Sequence, residues 1–172
     1  MIKIWLTITT VVFSAQLSWA QCLNNKDQFS LNMVDFNSSL LELKELFGKP
    51  ELAVFEQPPK GDTTITVFGL KKEKRKGKKN FKFKYPKLIV TSLSTEILTL
   101  QLIGYSCKED LNFCSLTLGT NKQEMIDKLG EPESFQDANE LDGVSYQYLK
   151  GQISILVGED EIRSIRIRKY AM

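Results

Sequence analysis

The chain has 172 residues, 42% apolar and 10% aromatic, enough for a packed core and too apolar for wholesale disorder. Its 23 basic and 21 acidic residues nearly balance, for a net charge of +2, and it contains no histidine. That absence removes the usual general base near neutral pH and the commonest metal ligand, and with them most hydrolytic and metal-dependent chemistry.

Residues 1–20 read as a secretory signal. Lys3 supplies the charged start, Ile4 to Phe13 is an apolar run broken only by threonines, and Ser18-Trp19-Ala20 is a small-x-small cleavage site. The run is too short to span a bilayer, which needs about 20 apolar residues. The expected product is a periplasmic or secreted chain beginning at Gln21. Cys22 follows Gln21 rather than the small residue of a lipobox, so a soluble product is expected rather than an anchored one.

The next feature is a helix signal. Ser39 opens a run to Phe47 with Leu40, Leu43, Leu46 and Phe47 on one side, Glu42 three places on to close a capping box, and Gly48 and Pro50 to stop it. Strand patterns follow at Thr64 to Leu70, Leu88 to Thr91 and Ile97 to Leu102.

Between the first two of these lies a basic insertion, Lys71 to Lys87, with ten Lys or Arg against one glutamate, a local charge of +9. Removing Lys3 and this segment from the totals of 23 and 21 leaves 12 basic and 20 acidic residues, a net of −8. The chain is thus strongly polarised. Lys74, Arg75, Lys76, Lys78 and Lys79 surround Gly77 as at a hairpin tip, and Phe81, Phe83 and Tyr85 then alternate with Lys82 and Lys84. The segment reads either as a docking arm for an anionic surface or as a solvated tip whose lysines oppose edge-to-edge association.

Residues 105–114 form a cysteine-bearing linker. In an oxidising compartment Cys107 and Cys114 make the natural disulfide, worth about 2 kcal/mol for so short a loop. The rival pairing ties Cys22 to one of the other two. Three cysteines without histidine match no standard zinc spacing, and no cofactor is expected.

The helix signal then recurs. Asn121 to Glu133 lies over Ser39 to Glu51 without a gap, sharing Glu42/Glu124, Gly48/Gly130, Pro50/Pro132 and Glu51/Glu133. Phe113 to Leu118 could lead in as a short strand. Met125, Ile126 and Leu129 give the helix its apolar face, and Gln136 to Gly143 reads as a polar loop. Val144, Tyr146 and Tyr148, then Ile153, Ile155 and Val157, then Ile162, Ile165 and Ile167 alternate as three strands. The last two align on the first half as Leu88/Ile153, Val90/Ile155, Ile97/Ile162, Leu100/Ile165 and Leu102/Ile167. The expected fold is α+β: two tandem repeats, 21–104 and 115–172, each a short helix on a three-stranded antiparallel meander, joined through one sheet.

The string Gly119 to Pro132, Gly-Thr-x-x-x-Glu-Met-Ile-x-x-Leu-Gly-x-Pro, followed by tyrosine-bearing strands and a terminal hairpin, resembles the β-lactamase inhibitor protein-like superfamily, which includes the SmpA/OmlA lipoproteins of outer-membrane barrel assembly. The resemblance covers most of the mature chain, more strongly in its second half. It implies an exported, non-catalytic protein-binding module, an analogy of fold rather than a site.

Two functions follow. The first is a module that captures an envelope or secreted protein on its exposed sheet surface, with Tyr146 and Tyr148 as candidate contacts if they point outward. The second is electrostatic binding of anionic lipid or cell-wall polymer through the arm at Lys74, Arg75, Lys76, Lys78, Lys79, Phe81, Phe83 and Tyr85. Export makes nucleic acid an unsuitable partner despite the charge. A third expectation, carboxylate hydrolysis by Asp137, Glu140 and Asp142 or by Glu159, Asp160 and Glu161, ranks below both, because both clusters sit in turns where acids are normally solvated.

Overall fold

Both helix signals act where the sequence places them. The computed structural model describes residues 23, 29–56, 63–71, 85–138 and 141–171, with backbone alone for 52–56. In α1 (Leu40–Phe47) the Ser39 hydroxyl accepts the Glu42 amide at 3.1 Å, and the Glu42 carboxylate accepts the Ser39 amide at 2.7 Å. In α2 (Lys122–Leu129) Asn121 accepts the Gln123 amide at 2.8 Å. The second capping box is not closed, because Glu124 instead takes the Lys128 ammonium at 2.8 Å one turn on. Gly48 and Gly130 end the helices at φ 82 and 80, a left-handed backbone that costs glycine little.

Before α1, a short hairpin of β1 (Ser30–Leu31) and β2 (Val34–Asp35) turns through Asn32 and buries Leu31 and Val34. After each helix come four strands, not the three expected. They are β3 (Leu52–Glu56), β4 (Thr63–Gly69), β5 (Lys87–Leu93) and β6 (Glu96–Ile103), then β7 (Ser134–Ala138), β8 (Gly143–Tyr148), β9 (Ile153–Gly158) and β10 (Glu161–Arg168). The extra pair, β3 and β7, lies at the two edges. Part of the polar loop expected at 136–143 is therefore the strand β7, whose side chains face water and carry no alternating apolar signal.

The eight strands form one antiparallel sheet in the order β3-β4-β5-β6-β10-β9-β8-β7. The halves meet where β10 pairs with β6, Ile165 opposite Leu102 and Ile167 opposite Leu100. Each β5–β6 and β9–β10 hairpin carries a bulge, at Leu98 and at Arg163. The bulge shifts the side-chain phase once, so that Ile162, Ile165 and Ile167 all face the same way.

That way is toward the helices. All ten strand residues matched between the halves are buried, and they belong to one core with Leu43, Phe68, Met125 and Leu129. The segment expected as a linker also enters this core through Leu111 and Phe113, and the expected lead-in strand through Leu116 and Leu118. Phe113 and Leu116 exchange backbone hydrogen bonds of 2.9 Å across a tight turn, in place of the expected lead-in strand. Cys114 and Ser115 occupy its two left-handed positions, at φ 54 and 61. Cys107 holds a thiol whose Sγ donates to the Glu109 carbonyl at 3.5 Å and lies 4.0 Å from Thr117 Oγ1. Cys114 is disulfide-bonded while Cys107 keeps its thiol, so the expected Cys107–Cys114 bridge is not formed. The rival partner, Cys22, lies outside the described residues.

Candidate functional site: the uncovered face of the sheet

Alternation along the strands gives the sheet a second face that carries neither α1 nor α2. On it, register aligns Ser134, Gln147, Ser154, Arg166, Gln101 and Ile89 across six strands. A second row holds Gln136, Ser145, Leu156, Ser164 and Ile103. Together with Gln101, Arg168, Leu141 and Lys150, the β10-to-β7 part of these rows lines a groove of about 540 Å³.

The groove has an ordered polar floor. Gln101 donates to Ser164 Oγ at 3.0 Å and accepts from Arg166 Nε at 3.1 Å. Ser145 and Ser154 share a hydrogen bond of 2.9 Å, and the Gln147 amide donates to both, at 2.8 and 3.1 Å. Gln147 Oε1 is buried and accepts nothing from the described residues. Arg168 donates to the Gly151 carbonyl. Among the described residues no carboxylate forms an ion pair with Arg166 or Arg168. The acid in the lining, Glu133, accepts the Lys150 amide at 2.6 Å. Burial, with the Arg168 charge adding to it, pulls the Arg166 pKa below its ordinary value.

One end of this face is apolar. Ile103 and Leu156 are buried there, with Ile89, Tyr105, Ala138 and Leu141 packed on them. Arg163 stacks over the Tyr105 ring at 4.5 Å and reaches Glu161 at 2.9 Å and Glu159 at 3.4 Å. The acidic turn considered for hydrolysis thus contributes two of its three carboxylates to holding an arginine. In the other cluster, Asp137 pairs in β7 and Asp142 adopts φ 51, while Glu140 lies outside the described residues.

The tyrosines expected on the binding surface are on the opposite face. Tyr146 is 9% and Tyr148 2% exposed, both packed in the core. Their phase matches Ile153 and Ile155, so they turn under α2: the Tyr148 hydroxyl donates to the Gly130 carbonyl at 3.3 Å, and the Lys122 ammonium lies 5.3 Å from the Tyr146 ring. Burial, then the Glu131 charge, pushes the Tyr148 pKa up to about 12. The exposed aromatic at this edge is Phe135, 71% exposed and 6.3 Å from the Tyr146 ring.

Of the basic arm, Lys74, Arg75, Lys76, Lys78, Lys79, Phe81 and Phe83 lie outside the described residues. Its ends are described. The Leu70 amide donates to the Pro86 carbonyl at 2.9 Å, the Lys71 amide donates to the Glu109 carboxylate at 3.0 Å and its carbonyl accepts the Lys108 amide at 2.9 Å, and Lys87 pairs with Glu51 at 2.9 Å. Tyr85 is 57% exposed. Gly104, at φ 144, lets β6 pass this stem, since a Cβ there would meet Pro86 Cα at 2.7 Å.

Gln101, Ser145, Ser154, Ser164, Arg166 and Arg168 were not singled out from sequence. The available signal was the second phase of strands already recognised, where serine, glutamine and arginine recur.

No protein family and no curated protein sequence matches the chain. Among solved structures it is similar to a DUF4309-family protein of Bacillus subtilis, at 13% identity and a TM-score of 0.49 over 90% of this chain and 96% of that one. It is also similar to a cysteine-rich secretory protein of Staphylococcus aureus, at 18% identity and 0.42, covering 75% of this chain and 42% of that one. A third is a candidate β-lactamase inhibitor protein of Streptococcus mutans, at 12% identity and 0.31 over 82% and 91%.

Proposed function

We propose that the chain is an exported, non-catalytic module that binds a protein partner on the uncovered face of its sheet, as an envelope assembly factor or an inhibitor of another protein. The observation that carries this reading is the groove of about 540 Å³, with its hydrogen-bonded serine and glutamine floor and two arginines that pair with no described carboxylate. Its size falls in the range of binding clefts. The non-catalytic reading rests on the lack of histidine in the sequence and on the use of Glu159 and Glu161 to hold Arg163. Within the same reading, the two halves descend from one duplicated helix-and-strand unit, of which the second kept the polar groove.

The test is affinity capture from envelope extract with the chain from Gln21, beside a groove-filling Ser154→Trp variant and a control, Glu45→Lys, on α1. A defined partner should be lost at least tenfold by Ser154→Trp and retained by Glu45→Lys. Equal retention by both variants would move the binding site off this face.

A second reading gives the main role to the basic arm, as a clamp on anionic lipid or cell-wall polymer. The clasp between Leu70 and Pro86 favours it, because the ends of a segment with a local charge of +9 are held together at the edge of the sheet face. Each basic residue near an anionic surface is worth about 1 kcal/mol. Binding to anionic vesicles should then disappear on deletion of residues 72–84, or as salt rises.

A further inference from the structure

We infer that the uncovered face selects a partner segment that places a carboxylate over Arg166 and Arg168 and an apolar side chain over the β4–β5 end of the sheet. The inference rests on the binding-module reading above and adds the chemistry of the partner.

Three observations carry it. The first is charge. Two guanidinium groups two residues apart on β10 project from one face, separated by roughly 7 Å of strand. Around them register places Gln101, Ser154, Ser164 and Gln147, all neutral. Arg166 spends Nε on the Gln101 side chain and Arg168 spends Nη1 on the Gly151 carbonyl, so neither is neutralised by these contacts. A half-buried cation without a counter-ion among the described residues is costly, and a planar fork of donors matches a carboxylate in geometry as well as charge. The lowered proton affinity of Arg166 has the same cause, since its environment disfavours charge and a bound anion would reverse that.

The second is polarity along the face. On the open side of β4 and β5 the register aligns Val67 with Ile89 and Ile65 with Thr91, and Ile103 of β6 adjoins them, while its cluster partner Leu156 lies beyond β10 on β9. The face is therefore cationic and amide-lined over β10 and β8, and apolar over β5 and β4.

The third is distance. Strands lie about 4.8 Å apart, so β10 to β5 is roughly 10 Å and β10 to β4 roughly 14 Å. An extended segment advances about 3.3 Å per residue. A segment crossing the strands would thus reach both regions with an acid and an apolar residue three or four positions apart. A phosphate could satisfy the arginines, but the adjoining apolar strip calls for side chains, which favours a protein segment over a headgroup.

Random nine-residue loops displayed on phage, selected on the immobilised full mature chain, test this. The expected result is loops that share Asp or Glu with an apolar residue three or four places away. A synthetic copy of such a loop should bind at least tenfold more weakly to Arg166→Gln and to Arg168→Gln, with the melting temperature of each variant showing that it still folds. Replacing the loop's acid by its amide should cost a similar factor on the wild type and little more on Arg166→Gln, so that the two losses are coupled. Loops that Ser154→Trp blocks, but that lack an acid and ignore both arginine variants, would overturn the inference and leave the binding face standing. Loops indifferent to Ser154→Trp, or no enrichment at all, would overturn both.

Discussion

Replacing Ile165 by alanine tests whether the two halves stand as one body. Ile165 is fully buried on β10, opposite Leu102 of the first half and Ile155 of the second. Alanine removes three carbons from water-free surroundings, about 2.4 kcal/mol at roughly 0.8 kcal/mol per carbon. The unfilled space adds to that. Because β6, β9 and the loop beneath hold the site from both sides, little collapse is available, and the expected cost is about 3–4 kcal/mol. In urea, with a slope of about 2 kcal/mol per molar, the midpoint should fall by about 1.5–2 M in a single transition. Hydrogen exchange should show β3–β6 and β7–β10 losing protection together, because one core cluster draws on both. A loss under 1 kcal/mol, or deprotection confined to β7–β10, would refute the argument that the β6–β10 seam makes the halves cooperative.

Two smaller tests follow. Ser39→Ala removes the acceptor of the Glu42 amide and strands the reciprocal bond, and should cost about 1 kcal/mol in thermal or urea unfolding; the same change at Asn121 should cost less, since its box is not closed. The phenol of Tyr148 ionises near 10 when unfolded and near 12 when folded, so its contribution is complete below pH 10 and disappears as pH rises to 12. The resulting loss of about 1–2 kcal/mol in that window should be absent in Tyr148→Phe, measured by urea unfolding across the range.

The parts of the fold legible in the sequence were those whose cause is local. Ser39 with Glu42, and Gly48 and Gly130 before their prolines, are start and stop chemistry that works within one turn. The isoleucines and leucines of β5, β6, β9 and β10 alternate because one face is buried. The strands that were missed lack such a cause. Ser134 to Ala138 becomes strand only because β8 offers it a ladder, and most of its own side chains face water. Leu111 to Leu118 entered the core through a tight turn rather than through periodicity. Tyr146 and Tyr148 were the misleading residues: chemically they suit a contact surface, but their phase was that of Ile153 and Ile155, and phase decided where they went. The arginines of β10 obey the same rule in reverse.

The open face is a consequence of proportions. Eight strands at about 4.8 Å make a sheet more than 30 Å wide, and two eight-residue helices are each about 12 Å long. Among the described residues the β1–β2 hairpin and the buried residues of 111–118 are spent on the side where Leu43, Phe113 and Met125 meet the strands, while Tyr105 packs on the other side. The other side has to be tolerable to water, and serine, glutamine and arginine make it so over β8 and β10. Yet tolerance alone does not account for the whole surface. A face needing only solubility would carry paired charges and would not leave Arg166 half-buried without an acid, nor Gln147 Oε1 without a donor among the described residues. Nor would it set the partly exposed Ile65 and Ile89 on the same side. Unspent hydrogen-bonding capacity beside apolar surface is costly to the isolated chain and recovered on contact. That combination distinguishes a binding face from a merely solvated one.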